Sequence, residues 1–368
     1  MKNLLVWGTG GACESFHRKY HDIFYSFFDI VGYIDTKKDK QGKYFYNKRI
    51  YSPEQIHSLE WDMILLCTVN RTYQDEMLNF LQNMGVERTK IACFLNCEGI
   101  GLMRDFIFEK YKDTEDGEIQ SMLQYIEGHE LSVFNTELEK KKKSYKVYSD
   151  SDYDDPYVFI DDKRMYYPKE FLDIKTTPFV YDIYGEQSLN SPHLYVPFGT
   201  NIQNNSVIVD VGAREGNFSL KYIENSKKTY IIECEKAWCR ALSKTFAPYR
   251  DKVEICNAYV GKTDDGKGRT IDSLIKDSVD FLKMDIEGAE VDALKGAKRL
   301  LGESRAFCSI CAYHNENDEK NIKTILHEYG YTTEVSHGYM LFGWDKNFYT
   351  SLDIRRGVVY GEKFPVKE

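Results

Sequence analysis

Apolar positions along the chain fall into two patterns. Short runs rich in Val, Ile and Leu read as buried parallel strands: Leu4 to Trp7, Ile30 to Ile34 and Met63 to Asn70, with Lys90 to Phe94 as an edge strand, then Val207 to Val211, Thr229 to Glu233, Val253 to Ala258, Val279 to Met284 and Ala306 to Ala312. Between them lie stretches with helical spacing. Met122, Leu123, Ile126, Leu131, Phe134 and Leu138 form one apolar stripe within residues 102–143, and Val291 to Ala297 and Glu316 to Glu328 give two further helices. Two hairpins are expected. Tyr157 to Tyr167 turns at Asp161-Asp162, and Tyr331 to Val335 pairs with Tyr339 to Gly343 through His337-Gly338. The fold class predicted is α/β, with two Rossmann-like doubly wound domains at 1–98 and 181–368 and a helical and β-hairpin connector at 99–180.

With 368 residues the chain exceeds what one core usually serves. Its formal net charge of −9 argues against a nucleic-acid partner, whose phosphates require a basic surface. Lys140 to Lys143, behind Glu137 and Glu139, reads as a solvated helix end. The N-terminus enters a strand without the apolar stretch of a signal peptide, and no run reaches membrane-spanning length. Nine scattered cysteines suit reduced thiols, so a cytoplasmic protein is expected. Cys308 and Cys311 point to opposite faces of a strand, Cys93 and Cys97 supply no obvious second pair, and neither is assigned to a metal. Asp285 and Glu287 lack a third ligand at a diagnostic spacing for a hard cation. Asp150 to Asp155 lacks the glycine and distal Glu of an EF-hand loop and reads as a solvated turn.

The strand Val207 to Val211 runs into Gly212-Ala-Arg-Glu-Gly216 and a helix, the form of a nucleotide-cofactor loop. Glycine lets the backbone turn tightly and approach a ligand, and the helix start offers free N–H groups. Glu233 ends the next strand roughly 20 residues on, the spacing that sets an acid on ribose hydroxyls. Asn257 ends the third strand, where its amide either reads an adenine edge or caps a turn. Then come Thr270-Ile-Asp-Ser-Leu274, Lys283-Met-Asp-Ile-Glu-Gly-Ala-Glu290 and Tyr313-His314. Taken together, residues 184–344 resemble the FkbM family of S-adenosylmethionine-dependent methyltransferases.

That resemblance implies S-adenosylmethionine wrapped by Asp210 to Gly216, including Gly212, Ala213 and Gly216, with Asp210 and Glu215 as partners of its ammonium and Glu233 on its ribose. Asp285 closes the fourth strand and is expected near the sulfonium. Glu287 is a further catalytic candidate, whereas Glu290 reads as negative charge suited to a helix N-terminus. A hydroxyl acceptor must lose its proton, and His314 or Asp285 is the expected base. Before the cofactor strand, Glu186, Gln187 and His193 are candidates for binding a sugar acceptor. The expected reaction is O-methylation of a sugar hydroxyl on a nucleotide-linked or surface-polysaccharide precursor.

A second glycine turn, Gly8-Thr-Gly10-Gly11, is followed by a strand ending in Asp35. The third glycine of a dinucleotide fingerprint is replaced by Cys13. With Gly32-Tyr-Ile-Asp35 and Tyr51-Ser-Pro-Glu54, the first ninety or so residues resemble the small domain fronting some sugar acetyltransferases. This implies that Gly8, Gly10, Gly11 and Asp35 cradle a nucleotide-bearing acceptor; a structural or homodimerising role is the alternative. Two other readings of the chain stay open: an NAD-dependent oxidoreductase built on this domain, and a noncatalytic nucleotide-sensing scaffold.

Overall fold

The computed structural model describes residues 1–94, 99–139, 146–150, 154–170, 183, 185–266 and 268–364. Cys97, the lysine run at 140–143 and part of the acidic turn at 151–153 lie outside the described residues. The chain divides into two compact units, Met1–Thr136 with Tyr339–Ile354, and Glu137–Gly338 with Arg355–Glu368.

In the first unit, β1 (Lys2–Trp7), β2 (Phe28–Ile34), β3 (Tyr44–Phe45), β4 (Lys48–Tyr51), β5 (Met63–Leu66) and β6 (Ile91–Cys93) form one sheet in the order β3-β4-β2-β1-β5-β6. All neighbours pair in parallel except β3 with β4. The helices α1 (Gly11–Phe24) and α2 (Arg71–Asn83) connect these strands. Met122, Leu123, Ile126 and Leu131 of the stripe predicted as a connector belong to this core instead. Helices α3 (Arg104–Tyr111) and α4 (Gly117–Gly128) bring Ile107, Met122, Leu123 and Ile126 into the cluster around Leu4, Val6 and Phe24. Asp116 caps α4 by accepting the N–H groups of Glu118 and Ile119.

The predicted hairpin at 331–343 is also corrected. Tyr339 to Gly343 forms no strand; Leu341, with Phe348 and Tyr349, is buried in the first unit's core. Its alternating apolar pattern is spent there, through a bridge from Met340 to Phe134 and a hydrogen bond from Leu341 N to Val133 O.

The second unit opens with the hairpin β7 (Tyr157–Ile160) and β8 (Lys163–Tyr166). Its turn is where the sequence placed it, Asp161 and Asp162 both taking positive φ (44° and 65°), as a tight two-residue hairpin demands. Asp155 fixes it by accepting from Arg240 Nε and Lys244 Nζ on α6 (Lys236–Thr245), at 3.0 and 2.6 Å.

The main sheet comprises β9 (Ser206–Val211), β10 (Ser226–Glu233), β11 (Val253–Asn257), β12 (Phe281–Met284), β13 (Phe307–Cys311), β14 (Thr332–Val335) and β15 (Val358–Glu362). Their order is β11-β10-β9-β12-β13-β15-β14, with β15 antiparallel to both neighbours. The partner of β14 is therefore β15, whose Val358 and Val359 are fully buried. Around the sheet lie α5 (Asn217–Tyr222), α6, α7 (Ile271–Leu274), α8 (Glu290–Lys295), α9 (Lys298–Glu303) and α10 (Asp318–Glu328). Order reverses between β9 and β12, which opens a crevice at their carboxyl ends.

Candidate active site

Five strands of the second unit deliver the predicted residues to one edge. Gly212 follows β9, Glu233 ends β10, Asn257 ends β11, Asp285 follows β12, and Tyr313 and His314 lie just past β13. Both loop glycines are required by packing. Gly212 has φ 76°, and a Cβ there would sit 1.8 Å from the Asp285 carbonyl oxygen. Gly216, at φ 79°, would drive a Cβ to 2.6 Å from Leu242 on α6. The loop thus lies directly on the chain that carries Asp285, and Ala213 is buried beneath it.

The carboxylates at this edge have different occupations. Asp210, expected at a ligand ammonium, is 0% exposed and lies opposite Lys283 in the strand register. Lys283 Nζ is 3.0 Å from its Oδ1, Ser219 donates to Oδ2 at 2.7 Å, and Lys283 also donates to Gly212 O at 2.8 Å. Asp210 therefore anchors the loop and does not face a ligand. Glu215 is buried, and burial pushes its carboxyl up to about 7 despite its own backbone N–H, Arg214 and Lys283, with Glu186 adding to the rise. Glu233 accepts the N–H groups of Arg214 and Glu235 at 2.9 and 2.8 Å. Asn257 spends its amide hydrogens on the carbonyls of Glu233 and Cys234.

Asp285 is the centre of the site, with a side chain 17% exposed. Tyr195 donates to its Oδ2 at 2.7 Å and Tyr313 to its Oδ1 at 3.4 Å. His193 Nε2 lies 3.3 Å from Oδ2 and His314 Nε2 3.5 Å from Oδ1. Burial opposes ionisation of Asp285, but hydrogen bonding and charge from His193, with Lys283 and His314, hold the carboxyl well below its usual range. Burial likewise opposes the charged form of His193, yet Asp285 and Glu186 raise it to about 9. His314 is raised against its burial chiefly by Glu290, whose Oε1 lies 3.0 Å from Nδ1.

Glu290, read from the sequence as a helix N-terminal charge, is fully buried; it accepts the N–H of Ile286 at 2.8 Å and holds His314. Glu287 sits in the left-handed region at φ 56° with its side chain 80% exposed and an oxygen 3.6 Å from His314 Nε2. Gln187, expected on substrate, uses both ends of its amide on backbone: Nε2 donates to His193 O and Oε1 accepts from Tyr195 N. It positions those two side chains. Glu186 lies 3.5 Å from His193 Nδ1. Sequence reasoning missed Tyr195 and gave Tyr313 and Lys283, though both lie in quoted motifs, no role at the site. A lysine inside a buried strand was the one available signal.

In the first unit, Gly8, Gly10, Gly11 and Asp35 also come together at a strand edge. A Cβ on Gly8 would meet Cys67 O at 2.6 Å, whereas Gly10 and Gly11 face open space. Asp35 accepts from Thr9 Oγ1, from Lys37 N at 2.9 Å and from Lys40 Nζ at 3.1 Å. Burial works against its ionisation, and these contacts lower its carboxyl overall.

Comparison with known proteins agrees with this geometry. Residues 260–333 match the profile described as Methyltransferase FkbM domain. The match lies within the second unit. The matched stretch spans β12, Asp285, Glu287, Glu290 and His314. Residues 1–92 match a profile described as C2185-like, N-terminal. Among solved structures, the methyltransferase FkbM from Methylobacillus flagellatus KT superposes with a TM-score of 0.50 at 15% identity, covering 98% of this chain and 90% of that one. The precorrin-6y C5,15-methyltransferase from Geobacter metallireducens GS-15 (14% identity, 44% of this chain and 82% of that one, TM-score 0.32) and an rRNA methylase from Streptococcus thermophilus (18%, 44% and 89%, 0.32) match in part. No curated protein matches the chain. Among the described residues no helix is long and apolar enough to cross a membrane.

Proposed function

We propose that the protein is a cytoplasmic S-adenosylmethionine-dependent O-methyltransferase acting on a sugar hydroxyl. The observation that carries this reading is the partly exposed Asp285 carboxylate, ringed by His193, Tyr195, Tyr313 and His314 on a residue whose backbone packs against Gly212. The residues present fit the cofactor. Glu215 is a buried carboxyl pushed up to about 7, a charge that a ligand ammonium would relieve. Glu233 accepts two hydrogen bonds and retains acceptor capacity for ribose hydroxyls. The Asn257 carbonyl is the group suited to an adenine amino group. The carbohydrate acceptor class is supported by the resemblance of the N-terminal residues to sugar-acetyltransferase domains. The net charge of −9 weighs against nucleic acid.

S-adenosylmethionine supplies an electrophilic methyl on a sulfonium. The chain's own residues have to hold an acceptor hydroxyl in line with that methyl and take its proton. Asp285 does both in our reading. Its oxygens face the crevice, and two flanking imidazoles keep it ionised. His314, the other base candidate, has its charged form favoured by Glu290 and supports Asp285 electrostatically. Near-attack positioning supplies much of the acceleration available to such a site.

The test is turnover of Asp285→Asn and His314→Gln against a panel of nucleotide-linked sugars, with S-adenosylhomocysteine affinity measured by calorimetry. Asp285→Asn is expected to lose at least roughly a hundredfold in kcat with cofactor affinity retained, and His314→Gln to lose less. Near-parental turnover in Asp285→Asn would remove Asp285 as the base.

A further inference from the structure

Met284 and Ile310 are paired in the β12–β13 register, so the residues that follow them, Asp285 and Cys311, are neighbours at the sheet edge. His193 reaches the same point from the segment preceding β9, where Gln187 holds its backbone. Its Nε2 stands 3.3 Å from Asp285 Oδ2 and 3.5 Å from Cys311 Sγ, and all three donor atoms lie within 4.8 Å of one another. Bonds of the usual zinc lengths at tetrahedral angles separate a nitrogen from an oxygen by about 3.3 Å and from a sulfur by about 3.6 Å. The two distances from His193 are those of a ligand set, and the third pair lies within 4.8 Å. The second imidazole nitrogen faces Glu186 Oε2 at 3.5 Å, the position of the carboxylate that orients a metal-bound histidine.

We propose that His193, Asp285 and Cys311 form a three-ligand site for a zinc-class divalent cation, with its fourth position open beside the Tyr195 hydroxyl. One imidazole and one thiolate select zinc over magnesium or calcium, and thiolate with carboxylate neutralise the ion. Tyr195 OH lies 2.7 Å from Asp285 Oδ2 and 3.5 Å from His193 Nε2. A second trio, Asp285, Glu290 and His314, shares one ligand. It offers no sulfur, and its Glu290 is already committed to the Ile286 N–H. Sequence reading passed over Cys311 because it sought cysteines in pairs. The ligands come instead from three segments far apart in the chain. If the methyl-transfer reading holds, Asp285 would serve as a ligand and not as the base whenever the ion is bound, and an acceptor hydroxyl at the open position would release its proton to solvent more readily, as zinc-bound water does. That consequence rests on the proposed function; binding of the ion does not.

The experiment uses the full chain stripped with a chelator and titrated with Co²⁺, then Zn²⁺, without cofactor or acceptor. One equivalent of Co²⁺ is expected to give a near-ultraviolet thiolate charge-transfer band and visible bands of a tetrahedral site, both erased by Zn²⁺. Cys311→Ser should lose the charge-transfer band, His193→Gln should weaken Zn²⁺ binding at least tenfold, and Cys308→Ser, on the same strand outside the trio, should retain both. Absence of the band in the parent protein overturns the proposal without reference to any variant's folding. So does a band that survives Cys311→Ser, or binding lost in His314→Gln but kept in His193→Gln. Each variant's thermal unfolding is read alongside. S-adenosylhomocysteine binding, measured separately, keeps failure of this site distinct from failure of the methyltransferase reading.

Discussion

Replacing Glu215 by Gln separates what the cofactor loop costs the fold from what it gives the ligand. Glu215 is 7% exposed, and burial moves its carboxyl from 4.5 to about 7, against Arg214 and Lys283 and with Glu186. A carboxyl whose folded-state pKa lies above its unfolded value stabilises the fold in its protonated form. That contribution is complete below about 4.5 and lost as the pH rises through about 7. The rise corresponds to roughly 3 kcal/mol. Glu215→Gln is thus expected to stabilise the cofactor-free protein by up to ~3 kcal/mol above about pH 7, with the gain vanishing in acid. Ligand binding should change in the opposite sense. An ammonium paired with ionised Glu215 binds on the order of tenfold more weakly at about pH 5.5 than at about pH 7.5, after allowing for titration of the ligand's own amino group near 7.8. In the variant that acid limb should flatten and affinity at neutral pH should fall. Urea unfolding across the pH range, paired with S-adenosylhomocysteine calorimetry in the same buffers, reads both. An unchanged urea midpoint at about pH 8 would refute the buried-charge argument, and an unchanged acid limb would refute the ammonium contact.

Three other outcomes follow from packing and charge. Gly212→Ala puts a methyl 1.8 Å from the Asp285 carbonyl oxygen at a positive φ, so urea unfolding should show a loss of more than about 4 kcal/mol; Gly10→Ala, with open space around it, should be near neutral. Glu290→Gln removes the main support of the His314 charge, and NMR titration should show that imidazole moving down toward 6.5. Because the raised His314 stabilises the fold while protonated and loses that effect as the pH rises through its folded value, the variant's deficit, about 3 kcal/mol, should shrink as the pH rises through that value. Asp155→Ala leaves Arg240 and Lys244 without their buried partner and should cost about 3 kcal/mol, measured by urea unfolding, with β7 and β8 losing amide-exchange protection first.

Most strands of both sheets were legible as short apolar runs, while β3, β4 and β15 were not read, and Asp161-Asp162 announced its hairpin by residue type. Tyr339 to Gly343 misled because alternation reports burial on one face, not which sheet or core buries it; those residues are taken up by the first unit, and Val358 to Glu362 pairs with β14 instead. At the site the same limit acts on charge. Asp210, Asp285, Glu287 and Glu290 look equivalent in the sequence, as acids at strand ends or a helix start. What separates them is a partner supplied from far along the chain. Lys283 draws Asp210 into the sheet, His314 draws Glu290 under the site, and Glu287 is turned to solvent by its left-handed backbone. Asp285 alone keeps a carboxylate both partly exposed and ringed by imidazoles and phenols. Two of the four acids therefore hold the frame, and their removal should register as lost stability. Removal of Asp285 should register as lost turnover.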